Sequence, residues 1–418
     1  MIGIVADDIT GCTDIAIMYK KYGYKTIVFN TLPDTNFINA DVIIFNTDSR
    51  FIDKEEAHER VYKATKKLIE LNCTFFFNKT CSVFRGNIGC QFDAMLTALS
   101  EKNAFIVLGY PKNARTTLEN LHYVNGILLE NSQFRFDPMN PMTKSNLSDI
   151  IHEQSSLVVG SISWKDFDRG IEFTKAKTEQ LKMIANYICF DVRDNDDLVR
   201  IYNIIKDEKV VCGAAQIAEV FASDGYKKEP VSFSPTNNGP SKTLIISGSV
   251  TIQTKNQIDN YTKEGSSIFI DPCSLINETE RKKKIQSIIT HCSHLFENTD
   301  SVLISYTGAG NNDEVALNKK TALASGISEF DFAKLLSTSL GEISTTVLHN
   351  LNINKIIILG GDTSHCFCEC FGITHFEIIN EIETGIPLSY CRDYDLYMVL
   401  KSGSFGSDDF INKAILSV

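Results

Sequence analysis

Short apolar runs recur along the chain with longer amphipathic stretches between them. IGIVA, TIVFN, DVIIFN, TFFFN and AFIVLGY carry hydrophobic residues at consecutive rather than alternate positions, as strands buried on both faces do. Between these runs, residues 10–22 and 53–71 read as helices. Gly23 closes the first, and Asp53 opens the second as an N-cap with Glu55 and Glu56 in its first turn. Strand–helix alternation of this kind predicts a parallel sheet covered by helices. The stretch LHYVNGILLE breaks the rhythm, because Asn125-Gly126 between apolar runs predicts a hairpin with a type I′ turn. Alternation resumes with SLVVGS, YICFDV and KVVCGAAQIAEVF.

Residues 227–242 hold three of the nine prolines, many polar residues and no periodicity, and read as a linker. A second alternating series follows: TLIISGS, SSIFIDP, SVLISY, KIIILGGDTS and LYMVLKSGSFG. At 418 residues the chain exceeds one ordinary core. The expected fold class is α/β with two domains, 1–235 and 240–418. Each would be a largely parallel sheet flanked by helices, with the active site in the cleft between them.

Composition narrows the function classes. The chain is 43% hydrophobic and 22% charged, as globular proteins are, and its net charge is −11. That balance argues against a nucleic-acid or anionic-membrane partner, although a local cationic cluster still suits a small anion. No apolar run approaches the roughly 18 residues of a membrane span. The N-terminus enters a strand directly and does not read as a signal peptide. The 12 cysteines lack framework spacing, so reduced thiols in a cytoplasmic protein are expected.

Ligands of open α/β sheets collect at the carboxyl ends of strands, so candidate chemistry is sought there. The first strand is followed by Asp7 and Asp8, which can cap the next helix or point at a substrate hydroxyl. Arg50 ends the turn after the third. The fourth leads into NKTCSVFRGNIG, where Lys79 and Arg85 flank Thr80, Cys81 and Ser82. Gly86 to Gly89 then open a helix whose N-terminus suits an anion. Arg115 follows the fifth strand. Together these cations form a carboxylate or phosphate grip. In the second series, Ser247 to Ser249, Gly360 to Thr363 and Lys401 to Gly406 are glycine-rich turns whose N–H groups suit phosphates. No Walker A motif or strict G-x-G-x-x-G is present. HCFCEC, from His365 to Cys370, lacks a second cluster to complete a tetrahedral metal site, and reads as structural cysteines.

In order, these motifs resemble the four-carbon acid sugar kinase family over nearly the whole chain. They are VADDITG at 5–11, Ser49-Arg50, KTCSVFRGNIG at 79–89, ARTT at 114–117, Asp137-Pro138 with Pro141, GGDT at 360–363 and KSGSFG at 401–406. The resemblance implies ATP-dependent phosphorylation of the terminal hydroxyl of a sugar acid such as threonate, erythronate or an oxo-tetronate. It implies an N-terminal substrate domain using Asp8, Arg50 and residues 79–82. It also implies a C-terminal nucleotide domain using Ser249, Gly360, Gly361, Asp362, Thr363 and Gly403, with Gly406 in the same final motif. Arg85 is expected to join the substrate site. Asp8 is the candidate base or hydroxyl orienter, and Lys79 or Arg85 would stabilise the transferring phosphoryl group. Asp362 is the candidate contact for Mg2+. The expected partners are a sugar acid and ATP, with room for a homodimer. Two residues depart from the family pattern: Cys81 stands where the family has aspartate, and Ala114 where it has glycine. A sugar-acid or nucleotide sensor that kept the fold is the alternative. A dehydrogenase is disfavoured by the missing dinucleotide fingerprint.

Overall fold

The computed structural model describes residues 1–137, 139–224, 242–351 and 353–417. Apart from Lys242, the segment read as a linker lies outside the described residues, as does Pro138. The chain forms two compact units, Met1–Val231 and Ser232–Val418.

The first unit contains strands β1 (Ile2–Ala6), β2 (Thr26–Phe29), β3 (Val42–Asn46), β4 (Phe75–Lys79) and β5 (Ala104–Val107). It continues with β6 (Arg115–Leu118), β7 (Leu121–Val124), β8 (Ile127–Leu128), β9 (Val159–Ile162), β10 (Tyr187–Phe190) and β11 (Val210–Gly213). Its main sheet runs β2-β3-β1-β4-β11-β5-β10-β9, parallel throughout. The consecutive apolar runs are explained by burial on both faces: Ile4, Val5, Val42 to Phe45, Phe76, Phe77 and Ala104 to Val107 are all at most 1% exposed. From β1 the chain goes out to β2 and returns through β3 on one side, and from β4 it goes on to β5 on the other. The β1/β4 boundary is therefore a topological switch point, the place where open α/β sheets bind their ligands. Registers Ala6↔Asn46 and Ala6↔Lys79 make the three carboxyl ends level.

Helices Ile9–Lys20 and Lys54–Glu70 lie close to the expected spans. The Asn125-Gly126 hairpin is present, with both residues at positive φ (51° and 76°), as a type I′ turn requires. It belongs to a separate antiparallel sheet, β6-β7-β8, whose first strand the apolar pattern did not announce.

The second unit contains β12 (Thr243–Ser247), β13 (Ser266–Ile270), β14 (Ser301–Tyr306), β15 (Lys355–Leu359), β16 (His375–Glu383), β17 (Ile386–Cys391) and β18 (Leu396–Lys401). Their order is β13-β14-β12-β15-β18-β17-β16, parallel from β13 to β18. The antiparallel strands β17 and β16 extend it. This hairpin was absent from the expected series. β16 is half-buried and interrupted by Glu377, Glu381 and Glu383, so it lacks a continuous apolar run. Registers Ser247↔Leu359 and Leu359↔Lys401 bring the ends of β12, β15 and β18 level.

Among the described residues, no helix is long and apolar enough to cross a membrane, every cysteine is free, and no group of three metal-ligating side chains occurs.

Candidate active site

At the end of β1, Asp7 and Asp8 take different roles. Asp7 is fully buried, and the Arg50 guanidinium donates to both of its oxygens, Nε at 2.9 Å and Nη2 at 2.7 Å. Asp8 is the N-cap of helix Ile9–Lys20, accepting from the Gly11 N–H at 2.6 Å and the Thr10 hydroxyl at 3.0 Å. It also accepts from Arg50 Nη1. Capping and a second contact thus coexist in one side chain. Burial works against the Asp8 charge, but Arg50, Lys79 and the Gly11 N–H outweigh it and hold its pKa below the usual carboxylate range.

Lys79, at the end of β4, is 3% exposed, with Nζ 3.2 Å from Asp14 and donating to the Thr80 carbonyl at 3.0 Å. Tyr110 donates to the other Asp14 oxygen at 3.1 Å. Burial disfavours the ammonium, but Asp14, Asp7 and Asp8 raise its pKa above the ordinary lysine value. The Thr80 hydroxyl is buried and has no hydrogen-bond partner among the described residues.

The RGNIG segment corrects an expectation. The amides at the start of helix Ile88–Leu99 are already occupied: Gly86 N–H donates to Asn140 Oδ1 at 3.1 Å, Ile88 N–H to the Gly86 carbonyl at 3.0 Å, and Gly89 N–H to Gln154 Oε1 at 3.0 Å. Protein acceptors, rather than an open anion site, meet these N–H groups. The motif instead fastens the turn that carries Arg50. Asn87 Nδ2 donates to the carbonyls of Ser49 and Ile52 at 2.9 and 2.7 Å. Gly86 has φ +94°, and a Cβ there would lie 2.5 Å from the Arg50 carbonyl oxygen. The SR and RGNIG motifs are therefore one mechanical unit.

Cys81 is 8% exposed, and its sulfur accepts from Arg85 Nε at 3.4 Å. Arg85 also donates to Asp137 at 2.6 Å. Burial pushes the Cys81 thiol up, but Arg85 and then Arg50 outweigh it, so its pKa falls below the ordinary thiol value. The cations responsible are these arginines, not Lys79, whose charge is committed to Asp14. Arg85 and Arg115 both lie over the Phe134 ring, 5.5 and 5.8 Å from its centroid. Ser82 is half-buried beside them.

In the second unit the three glycine turns stand side by side. Their first N–H groups do not form the expected nest: Gly248 and Ser249 donate to the Leu359 carbonyl at 3.2 Å each, and Gly360 to the Lys401 carbonyl at 2.8 Å. These bonds lock the turns to one another. The remaining anion-facing feature is the first turn of helix Gly361–Phe371. Its N-cap, Gly360, has no side chain to fill it, and it carries Asp362, exposed, and Thr363, buried. The Gly403 carbonyl accepts from the hydroxyls of Thr251 and Thr254 at 2.7 and 2.9 Å. A Cβ on Gly403 would lie 2.4 Å from Ser249 Oγ. Gly406, at φ +84°, has its carbonyl held by Gln253 at 2.7 Å.

Sequence reasoning did not anticipate the part played by Lys401. The residue is 1% exposed, and its ammonium donates to the carbonyls of Ser402, Gly403 and Phe405 at 2.8, 3.3 and 3.0 Å. It draws the last turn around itself, and burial pulls its pKa down to about 7. A lysine opening a glycine-rich turn was the available signal. The HCFCEC cysteines lie on helix Gly361–Phe371, with Cys368 buried and Cys370 exposed.

A parallel sheet with carboxylates and arginines gathered at its switch point, and a second sheet with level glycine turns at its own, define a two-unit α/β protein for small anionic ligands. The comparisons agree. Residues 2–221 match the family model of a sugar-binding N-terminal domain, and residues 244–411 that of a nucleotide-binding C-terminal domain. The chain is 29% identical to a 3-oxo-tetronate kinase of Haemophilus influenzae, over 99% of each chain. It is 26% identical to a D-threonate kinase of Salmonella typhimurium, over 99% of this chain and 97% of the other. A crystal structure of a Salmonella typhimurium LT2 protein superposes with TM-score 0.83 at 26% identity, covering 99% of this chain and 98% of that one. A Haemophilus influenzae protein of the DUF1537 family superposes at 0.73 with 27% identity and the same coverage. The chain belongs to the four-carbon acid sugar kinase family.

Proposed function

We propose that this protein transfers the γ-phosphoryl group of ATP to the terminal hydroxyl of a four-carbon sugar acid, of the threonate, erythronate or oxo-tetronate type. The observation that carries this reading is the division of chemistry between the units. Cations and carboxylates meet at the β1/β4 switch point, while locked glycine turns and a helix N-terminus meet at β12, β15 and β18.

Asp8, held ionised by Arg50, orients the acceptor hydroxyl as a hydrogen-bond acceptor. Its lowered pKa makes it a weak base, which suits phosphoryl transfer, where positioning and charge neutralisation dominate. Lys79, itself held by Asp14, favours the Asp8 charge and supplies positive potential. Thr80, Cys81, Ser82 and Arg85 line the acid's side. Ser249, Gly360, Gly361, Thr363, Gly403 and Gly406 form the nucleotide side. Magnesium takes one or two carboxylates and completes its shell with phosphate oxygens and water. A single exposed Asp362 at the helix start fits that demand, and the lack of a three-ligand cluster among the described residues is compatible with it.

The test is an ATP-dependent phosphorylation screen over four-carbon acids and related sugar acids, with the product located by phosphorus NMR. Turnover of a tetronate at its terminal hydroxyl is expected. Tight acid binding without any phosphoryl product would favour a sensor instead.

A further inference from the structure

Four cationic side chains gather at the carboxyl ends of β1 and β4 and in the loops beside them, and three are already answered. Arg50 holds Asp7 and Asp8, Lys79 holds Asp14, and Arg85 holds Asp137. Arg115 differs. It is 8% exposed and pairs with no carboxylate among the described residues. Nη1 donates to the Asn113 carbonyl. Among the described residues, Nε is buried without any acceptor and Nη2 meets none. The Nε–Nη2 edge is the side with which a guanidinium takes a carboxylate in two parallel hydrogen bonds. Arg50 uses this same edge on Asp7. Arg115 therefore presents, beside Cys81 and Arg85 and across the face of Phe134, an empty copy of a fork that is filled elsewhere in the cluster.

We propose that Arg115 anchors the carboxylate of the acid substrate through its Nε–Nη2 edge, which sets the direction in which the substrate lies. The inference rests on the kinase reading above and assigns the carboxylate to one residue. A buried guanidinium with an orphaned donor is costly without an anion. A four-carbon acid supplies that anion at one end and a hydroxyl at the other. With the carboxylate at Arg115, the chain of hydroxyls runs toward Asp8, which accepts from the group to be phosphorylated. An uncharged polyol of the same length leaves the fork empty and gains no such direction.

The experiment compares wild type, Arg115→Gln and Arg115→Lys on the four-carbon acid that wild type uses best, and on threitol. Both acid and nucleotide binding are measured calorimetrically alongside turnover. For Arg115→Gln, KM for the acid should rise at least a hundredfold, kcat should change less than tenfold, and nucleotide Kd should stay within twofold. Arg115→Lys keeps the charge without the planar fork and should recover only part of the loss. Wild type should prefer the acid over threitol by at least a hundredfold, and Arg115→Gln should lose most of that preference. If Arg115→Gln fails to fold, Arg115→Lys decides: an unchanged KM overturns the anchor. An Arg115→Gln enzyme with wild-type KM overturns it too, while leaving the kinase reading intact. Acid binding that depends on Arg115 but leads to no phosphoryl transfer supports the anchor and sinks the kinase reading.

Discussion

Arg50 grips Asp7 across 43 residues of sequence, its Nε and Nη2 donating to the two carboxylate oxygens at 2.9 and 2.7 Å. The pair joins the end of β1 to the turn after β3, and Nη1 reaches on to Asp8. Arg50 is thus spent on the protein's own carboxylates, and its first duty is to hold the site's shape.

Replacing Arg50 should therefore damage the fold as well as the chemistry. Arg50→Ala leaves Asp7 buried and unpaired, and breaking such a pair costs about 3–5 kcal/mol. Urea denaturation should register that loss, and adding Asp7→Asn should restore part of it by removing the stranded charge. A variant within about 1 kcal/mol of wild type would show that solvent reaches the pair and the fork is weak.

Ala114 carries a cost that its neighbour's role explains. It closes the short 3-10 turn at Pro111–Asn113 with φ 53° and ψ 41°, in the left-handed region, directly before Arg115. A side chain with a Cβ is disfavoured there by about 1–2 kcal/mol, partly offset by the greater unfolded-state freedom of glycine. Ala114→Gly should raise stability by roughly 0.5–1 kcal/mol, seen as a higher melting temperature with unchanged acid KM. A lower melting temperature would mean that the turn tolerates alanine without strain.

The doubly buried strands were legible because burial on both faces writes continuous apolar runs, as in IIIL at 356–359 and FFF at 75–77. β16 was not, because it is only half-buried and glutamates interrupt its apolar residues. Of the site, the cations after β3, β4 and β5 were legible as residue types at strand ends. Their allocation was not. That Lys79 belongs to Asp14, Arg85 to Asp137 and Arg50 to Asp7 depends on residues more than 40 positions apart in each case. No local pattern reports this. The occupied amides of RGNIG were illegible for the same reason, since Gln154 and Asn140 lie far along the chain.

Lys401 should make the second unit's stability depend on pH. In the unfolded chain a lysine keeps its proton to about pH 10.4, whereas burial brings Lys401 down to about 7. Between those values the unfolded state binds more protons, so stability rises with pH, by up to about 1.4 kcal/mol per unit for one full proton. Lys355, pulled down to about 8 by burial, acts in the same direction. Urea midpoints of the second unit's transition at pH 7, 8 and 9 should climb, and Lys401→Met should remove much of the slope. A flat wild-type profile would mean that the three carbonyls hold Lys401 charged throughout.

Cys81 is where the substrate's identity is expected to be written. Its sulfur sits 3.4 Å from Arg85 Nε, at the position where the family pattern has an aspartate. A neutral thiol is a poor acceptor for a hydroxyl, whereas a carboxylate accepts strongly. Arginine neighbours push the thiol toward its charged form, but a sulfur still accepts at longer range and with less direction than oxygen. Cys81→Asp should therefore favour acids bearing a hydroxyl at that position over their oxo counterparts. One charge-assisted hydrogen bond is worth about 1.5–3 kcal/mol, so the ratio of kcat/KM between threonate and 3-oxo-tetronate should rise on the order of tenfold or more. In wild type, bound acid should slow alkylation of Cys81 by iodoacetamide, followed by peptide mapping to separate it from the exposed Cys370. An unchanged selectivity ratio, with alkylation indifferent to the acid, would reduce Cys81 to a packing residue.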